Sequence, residues 1–317
     1  MEKRANSIPM MAIALVGLLI AYPAQAGGES LTIAHTAKAG SLVDATVDAF
    51  VTAANKALNG KAAVKKISAG GDQKALLKKV KKGTITFTVT SADASKNFHA
   101  GYGLFEMPFV IADRDNMERL LDKKKGIIKK ISKRAKKKKY ALLGVWENGF
   151  RHIANNDRVV KKPADLKGLA IASTGWRKVA FETYGAKASA SAGGGREATL
   201  PEIASGKAPK FVSLSGHAYI PAFLIAGRKP WKGLSKEIQT AIKSAAKKAQ
   251  KFAYAEGAKR DAAAIKKLKA AGVKINEVDR AAFIAASDAV YDKFVTRVNG
   301  AYGLLNHTRK VGTASGS

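Results

Sequence analysis

The sequence predicts an α/β fold in which two lobes enclose a cleft. Strand-like and helix-like apolar patterns alternate along the first 90 residues, which favours a mostly parallel sheet with right-handed crossovers. The chain is 317 residues long, more than one lobe usually needs. Strand-like apolar segments then return after residue 211, as expected if the chain leaves the first lobe, builds a second and comes back. In such a sheet the strand ends open into a crevice where ligands bind.

The elements of the first lobe follow one another as strand, helix, strand, helix, strand. The three strands are short apolar runs, and the two helices carry apolar residues at i, i+3 and i+4. The predicted strands are Leu31–His35, Ala63–Ile67 and Ile85–Thr90, and the predicted helices are Leu42–Leu58 and Gln73–Val80.

The second half contains the predicted crossing between lobes and the return. Two short strands around Glu147-Asn148-Gly149 form the crossing, and a helix begins near Asp279, whose carboxylate is a suitable N-cap. The other predicted elements are strands at Leu169–Ala172, Gly216–Ala226 and Val273–Ile275, a helix at Trp176–Tyr184 and a long helix from Ser235. We therefore divide the chain into a first part of lobe I at 27–149, lobe II at 150–211, a return to lobe I with C-terminal helices at 212–300 and a flexible tail at 301–317.

The N-terminus predicts export. Lys3 and Arg4 precede an apolar core at Ile8–Tyr22, and Ala24-Gln25-Ala26 has the small-x-small form of a cleavage site, so residues 1–26 are interpreted as a signal peptide. An uncleaved anchor is the alternative, but the apolar run is shorter than the roughly 20 residues that span a bilayer. We expect a soluble protein in the periplasm.

Charge is the unusual feature of the composition. Lys and Arg number 56 against 24 Asp and Glu, a formal net charge of +32. Much of it lies in runs such as Lys133–Lys139, next to Ile127, Ile128 and Ile131 at helical spacing, a pattern typical of a solvated helix face. Because Lys133–Lys139 has no aromatic residues for base stacking, we expect no specific nucleic-acid partner.

No catalytic or metal-binding pattern is present. The chain has no cysteine, which excludes disulfides, zinc–thiolate sites and thiol nucleophiles. No two of its five histidines are four residues apart, and no G-x-S-x-G elbow occurs. Gly193–Gly195 is not followed by the Gly-Lys-Ser/Thr of a phosphate loop. The sequence favours a protein that is not an enzyme and has no cofactor or metal.

The segment Trp146–His152 is the most informative. It places Arg151 between aromatic residues at the end of an apolar run, where a guanidinium can match both oxygens of a carboxylate and aromatic faces exclude water from the pair. The alternative is an arginine that lies over a hydrophobic face with its charge in solvent.

Several segments together resemble the solute-binding proteins of tripartite ATP-independent periplasmic (TRAP) transporters, of the DctP type. The resemblance lies in the order of segments that are individually weak: Leu31–His35, Lys82–Ile85, Glu106–Val110, Trp146–His152, Lys162–Leu169, Ser215–Tyr219, Ala271–Val273 and Val278–Phe283. It implies a two-lobe periplasmic solute-binding fold that closes around a small organic acid and delivers it to the membrane permease subunits, and we expect a monomer.

Two departures from the family pattern concern the ligand site. The K-G-L-x-I-R-x-P strand of the family, whose arginine holds the ligand carboxylate, is here Lys167–Ser173, with Ala172 at the arginine position. After Gly206 about twenty residues of the usual pattern are absent, so we expect a shortened second lobe. Arg151 matches the family's other ligand-facing arginine, and Arg177 is a possible substitute for the missing one.

Further candidate ligand contacts lie at predicted strand ends and beside Arg151, although each could simply belong to a loop or the core. They are Trp146, Asn148, His35, Thr36, Thr90, Ser91 and Phe109. The alternative function is that of a divergent or truncated relative without solute capture, which binds anionic polymers or membrane surfaces through its basic exterior and does so only at low salt.

Overall fold

The structure is a computed structural model that describes residues 28–68, 72–96, 100–122 and 124–313. The predicted signal peptide at 1–26 lies outside the described residues. Within them, no helix combines the length and the apolar character that crossing a bilayer requires.

Nine strands of the described chain form one mixed sheet, in the order β2-β1-β3-β8-β4-β7-β5-β6, with β9 pairing β8. The expected parallel pairs occur within the predicted lobes, where β1 pairs β2 and β3, and β5 pairs β6 and β7. The pairs at the centre of the sheet, β3–β8, β8–β4 and β4–β7, are antiparallel, so the sheet is less parallel than predicted. The strands are β1 Glu29–His35, β2 Ala62–Ser68, β3 Phe87–Ser91, β4 Tyr140–Asn155, β5 Ala170–Ala172, β6 Lys187–Ser189, β7 Gly195–Thr199, β8 Phe211–Gly227 and β9 Lys274–Glu277.

Helices cover both faces of the sheet. The longest, α9, begins at its N-cap Ser235, whose hydroxyl accepts a hydrogen bond from the Ile238 N–H. The helices are α1 Leu42–Leu58, α2 Gln73–Lys82, α3 Ala92–Ser95, α4 Arg114–Leu120, α5 Ile128–Lys137, α6 Gly175–Thr183, α7 Leu200–Ser205, α8 Arg228–Gly233, α9 Lys236–Ala270, α10 Arg280–Ala286, α11 Asp288–Arg297 and α12 Ala301–Thr313. The predicted N-cap Asp279 accepts from the Ala282 N–H. The predicted flexible tail is instead largely helix α12, whose Leu304 and Leu305 are buried.

The crossing between the predicted lobes is made by two long antiparallel strands, β4 and β8, and not by two short strands. Their register is irregular between Glu147 and Phe150, where Gly149 has a φ of 98°. A left-handed backbone at this point favours glycine, and the bulge turns the neighbouring side chains away from regular alternation. The bulge thereby places Asn148 beside the cleft described below.

The core has one large cluster on each face of the sheet and a smaller third cluster. On one face, Trp146 is fully buried against Phe50, and its indole N–H donates to the Ala246 carbonyl of α9 over 3.0 Å. On the other, Phe223 of β8 packs edge-on against Tyr102 and Phe105. The third cluster packs α7 against the C-terminal part of α9. Both long strands are thus covered on both sides, which fixes the sheet around the candidate site.

Candidate functional site

A cleft of about 440 Å³ lies at the carboxyl ends of β1 and β3. Those ends meet the start of α1, the bulge of β4, the start of α7 and one turn of α9. Five of the nine candidate contacts line it together: His35, Thr36, Thr90, Ser91 and Asn148. Parallel strands end at the same edge of a sheet, so the strand-end argument identified these residues correctly as neighbours.

Gln73, at the start of α2, also lines the cleft, and sequence reasoning missed it as a contact. Its Oε1 accepts hydrogen bonds from the Thr90 hydroxyl at 2.9 Å and from the Ser91 N–H at 2.8 Å. Because a backbone N–H can only donate, these bonds fix which end of the amide is the oxygen. The Nε2 group has no partner in the described part of the chain, so it is available as a donor.

His35 lines the cleft and carries an acceptor without a partner among the described residues. Its side chain is only 7% exposed, and its Nε2 lies 3.2 Å from Asp44 Oδ1, which also pairs with Lys66 at 2.6 Å. Burial lowers the pKa of His35 despite the opposing effect of Asp44, so the ring is neutral at neutral pH. A carboxylate can only accept, so Nε2 carries the proton and Nδ1 keeps its lone pair. Among the described residues Nδ1 has no partner.

Asn148 completes the set of uncommitted polar groups. It lies on the bulge of β4, partly exposed to the cleft, and its amide has no hydrogen-bond partner within the described ranges. An amide both donates and accepts, so it can hold a hydroxyl or a carboxylate oxygen. Gln73, His35 and Asn148 therefore offer a donor, an acceptor and a mixed group around one cavity.

Most charged groups in and behind the cleft wall form ion pairs with one another. Glu147 has no exposed surface and is held by Arg114 through contacts of 2.6 and 2.8 Å, and the same guanidinium reaches Asp261 at 2.7 Å. Burial raises the pKa of Glu147 to about 6 against the opposing effect of Arg114. Two cations line the cleft: Arg260, which donates to the Gly40 carbonyl at 2.7 Å, and the exposed Lys38.

Arg151 and Arg177 do not line this cleft. Both converge on Glu197 of β7, whose side chain is 2% exposed. Arg151 donates to both a carboxylate oxygen and, at 2.6 Å, the main-chain carbonyl of Glu197, while Arg177 Nε lies 2.8 Å from Oε1. The Ser173 hydroxyl donates to Oε1 at 3.2 Å, and His217 Nε2 lies 3.6 Å from Oε2. We call these five residues the Glu197 cluster.

The remaining candidates lie elsewhere. Trp146 is part of the core, as described above, and Phe109 packs against Phe283 and is 9% exposed. Ala172 pairs with Ser189 and Arg196 in the sheet and borders a shallow second recess, so no side chain replaces the family arginine at that position. The segment 206–210 joins α7 directly to β8.

The sequence carried weak signals for what was missed. Gln73 follows the N-cap Asp72, which marks a helix start next to the first-lobe strands, but the side chain's direction is not a sequence property. Glu197 belongs to the short strand β7, for which the sequence pattern gave no prediction. In the described part of the chain no group of three or more His, Cys, Asp or Glu side chains could hold a metal ion.

Comparison with known proteins gives concordant results. Residues 33–297 match the model of the bacterial extracellular solute-binding proteins, family 7 (DctP). The 2,3-diketo-L-gulonate-binding periplasmic protein YiaO of Escherichia coli (strain K12) is 31% identical over 260 residues, 76% of this chain and 79% of that protein. A TRAP periplasmic solute-binding protein from Bordetella bronchiseptica, with density assigned to pantoate, is 27% identical, with a TM-score of 0.77 over 89% of this chain and 99% of the other.

A second solved structure agrees in fold. The TRAP periplasmic solute-binding protein from Ochrobactrum anthropi has a TM-score of 0.83 at 21% identity, over 90% of this chain and 96% of the other, and is described with a C-terminus bound in the ligand-binding pocket.

Proposed function

Because the chain belongs to family 7 of the bacterial extracellular solute-binding proteins, the DctP-type receptors of TRAP transporters, we propose that it captures a small hydroxylated organic acid in the cleft at the ends of β1 and β3. Proteins of this family are periplasmic, non-enzymatic components that work with membrane permease subunits. The delivery of this solute to such a permease, by a monomer exported through cleavage after Ala26, belongs to the same proposal.

The observation that carries the proposal is the set of uncommitted polar groups around one cavity. His35 Nδ1 requires a donor, Gln73 Nε2 requires an acceptor, and Asn148 can serve either. A buried polar group without a partner costs about 1–3 kcal/mol, so a ligand hydroxyl that satisfies His35 gains free energy that a bare alkyl chain would not. This favours a hydroxy acid over a simple fatty or dicarboxylic acid.

The proposed partners of the solute's acid group are the two cations that line the cleft. Lys38 has no ion-pair partner among the described residues, and Arg260 keeps one guanidinium nitrogen beyond its contacts with Gly40 and Glu256. Charge-assisted hydrogen bonds contribute about 1.5–3 kcal/mol each. Relatives support an acidic, hydroxylated solute: the Escherichia coli protein is named for 2,3-diketo-L-gulonate, and the Bordetella structure is described with pantoate.

Isothermal titration calorimetry of the purified protein against matched acids tests the proposal. Gluconate and adipate have six carbons each, but only gluconate carries hydroxyls along the chain. We expect gluconate, or another hydroxy acid of a panel with two to six carbons, to bind at least tenfold more tightly than its unhydroxylated match. Absence of binding by every acid in the panel would contradict the function.

Two variants connect binding to the cleft. Asn148→Ala should weaken binding about 5- to 30-fold, since one or two ligand hydrogen bonds are lost. Asn306→Ala removes an exposed amide of α12 with no partner in the described chain and should leave affinity unchanged. Equal effects of the two variants would place the solute elsewhere.

A further inference from the structure

We propose that Glu197 is a built-in carboxylate that occupies the Arg151–Arg177 pair, so that this pair is closed to solute and the solute's acid group is held at Lys38 and Arg260 instead. The position of the solute's acid group at Lys38 and Arg260 rests on the proposed function. The occupation of a carboxylate site by Glu197 concerns the protein alone.

The geometry of the Glu197 cluster is that of a carboxylate-binding site with its ligand in place. Two guanidinium groups from different elements, β4 and α6, approach the two oxygens of one carboxylate. The Ser173 hydroxyl adds a neutral donor to Oε1. Arginine suits carboxylates because its planar guanidinium carries a permanent charge and several donors in fixed directions. In this molecule the recognised group is the protein's own.

The cluster lies directly behind the wall of the cleft. Arg151 pairs with Thr199 in the β4–β7 ladder, and Thr199 lines the cleft. Arg151 Nη1 also lies 3.6 Å from Glu202 Oε2, and Glu202 lines the cleft as well. The pair is thus one residue away from solute, but Arg151 and Arg177 are 17% and 11% exposed and turned toward Glu197.

Electrostatics keeps the internal anion in place. Burial would raise the pKa of Glu197, but the adjacent His217 ring and the charges of Arg151 and Arg177 outweigh that effect and hold the pKa well below its usual range. The carboxylate is therefore ionised at every pH at which the receptor would work. A solute carboxylate would have to displace a charge that is covalently attached to the site, which acts at a very high effective concentration.

The same pair joins the cluster to another part of the fold. Arg177 Nη1 lies 3.7 Å from Glu106 Oε1, and the Trp176 N–H donates to Glu106 Oε2 at 2.9 Å. Glu106 ends the 3-10 helix Ala100–Glu106, which belongs to the predicted first lobe. Arg177 therefore lies near two buried carboxylates, Glu197 and Glu106, the second of which is also paired with Lys96 at 3.2 Å.

Replacing Glu197 by alanine tests the site without any solute. The variant leaves a cavity flanked by two arginines, and formate is a carboxylate small enough to enter it. We expect Glu197→Ala to unfold roughly 5–10 °C below the wild type in the same salt, and formate at tens of millimolar to restore at least half of that loss beyond the general screening effect of chloride at equal ionic strength.

Glu202→Ala is the matched control, because Glu202 is also near Arg151 but is half exposed. Formate should shift its midpoint no more than chloride at equal ionic strength does. If Glu197→Ala does not fold on expression, refolding from urea with formate but not with chloride gives the same support. Failure of formate to stabilise or refold Glu197→Ala would overturn the inference.

Arg151→Ala supplies the second measurement. If Glu197 occupies the arginine pair, Arg151→Ala loses stability but binds the solute within about twofold of the wild type. Lys38→Ala should then weaken solute binding about tenfold or more. A roughly hundredfold loss of affinity in Arg151→Ala would overturn the inference and leave the proposed function intact. If the wild type binds no acid, the proposed function fails, and the formate experiment still decides the role of Glu197.

Discussion

Replacing Arg114 by methionine removes a charge on which the interior of the cleft wall depends. The guanidinium makes contacts of 2.6, 2.8 and 3.1 Å with Glu147 and, through Nη2, one of 2.7 Å with Asp261, and Glu147 has no exposed surface. Methionine retains an apolar stem but removes the guanidinium and so leaves Glu147 without this cation. Breaking a buried pair from one side costs about 3–5 kcal/mol of unfolding free energy.

The loss of unfolding free energy in Arg114→Met depends on pH and is larger at high pH. Burial already raises the pKa of Glu147 to about 6 with Arg114 present, and the variant loses the group that opposes this rise. A carboxyl whose folded pKa is raised carries no penalty below its unfolded pKa; the penalty grows as the pH rises from the unfolded to the folded pKa and is complete above the folded pKa. We expect the loss at pH 8 to exceed the loss at pH 5 by at least about 1.4 kcal/mol, one pKa unit.

Urea denaturation followed by circular dichroism at pH 5 and pH 8 measures both values. The double variant Arg114→Met with Glu147→Gln should recover part of the loss at pH 8, since a neutral amide replaces the unpaired charge. Arg158→Met is the control, because Arg158 is exposed and its guanidinium makes a long hydrogen bond of 3.4 Å to the Lys167 carbonyl; its effect should stay within about 0.5 kcal/mol. Equal losses at the two pH values, or no recovery in the double variant, would refute the electrostatic explanation.

Further outcomes concern single features of the fold and the net charge. Ser235→Ala removes the N-cap of α9 and should cost about 1 kcal/mol of unfolding free energy in urea. Gly257→Ala should cost about 1–3 kcal/mol although alanine favours helix, because the new Cβ would lie 2.6 Å from Glu147 Oε1; a more stable variant would contradict this. Burial lowers the pKa of His152 to about 3, so the stability it contributes is present above pH 6.5 and lost as the pH falls toward 3; His152→Gln should flatten this fall in urea titrations. Adding 0.15 M NaCl to a low-salt buffer should raise the melting temperature, since the repulsion of a +32 chain is screened; a lower midpoint would contradict it.

Local pattern was sufficient for most elements of the fold. The five predicted elements of the first lobe agree with β1, α1, β2, α2 and β3 to within a few residues, because each has a regular apolar period and a clear boundary. The crossing was misread because Gly149 looks like a turn, whereas β4 and β8 absorb it as a bulge within continuous strands. The tail was misread because the helix from Ala301 is stabilised by burial of Leu304 and Leu305, which a local pattern does not show.

The site was predictable where it depends on topology and not where it depends on side-chain partners. Strand-end residues such as His35 and Ser91 line the cleft because parallel strands end at one edge. The position of Arg151 in β4 was also as expected. Its partner was not, since Glu197 is 46 residues away along the chain and comes within reach only when β7 pairs with β4. No spacing rule connects residues that meet in this way.

Several arginines of this protein are paired with buried carboxylates, whereas many lysines lie in solvent. The large net positive charge therefore does not indicate where an anion binds. Each of three glutamates with at most 5% exposure contacts an arginine: Glu147 with Arg114, Glu197 with Arg151 and Arg177, and Glu106 with Arg177. A guanidinium is weakly hydrated and presents parallel donors, so it can accompany a carboxylate into the interior at a lower desolvation cost than an ammonium group. The lysines of the 136–139 run, in contrast, are all exposed and surrounded by water. These three arginines are therefore paired with carboxylates of the protein itself, and the lysines of the 136–139 run do not line the cleft. A cation can contribute to solute binding if it lines the cleft and is not paired with a carboxylate of the protein. The charge of Lys38 should therefore affect solute affinity more than that of any lysine in the 136–139 run.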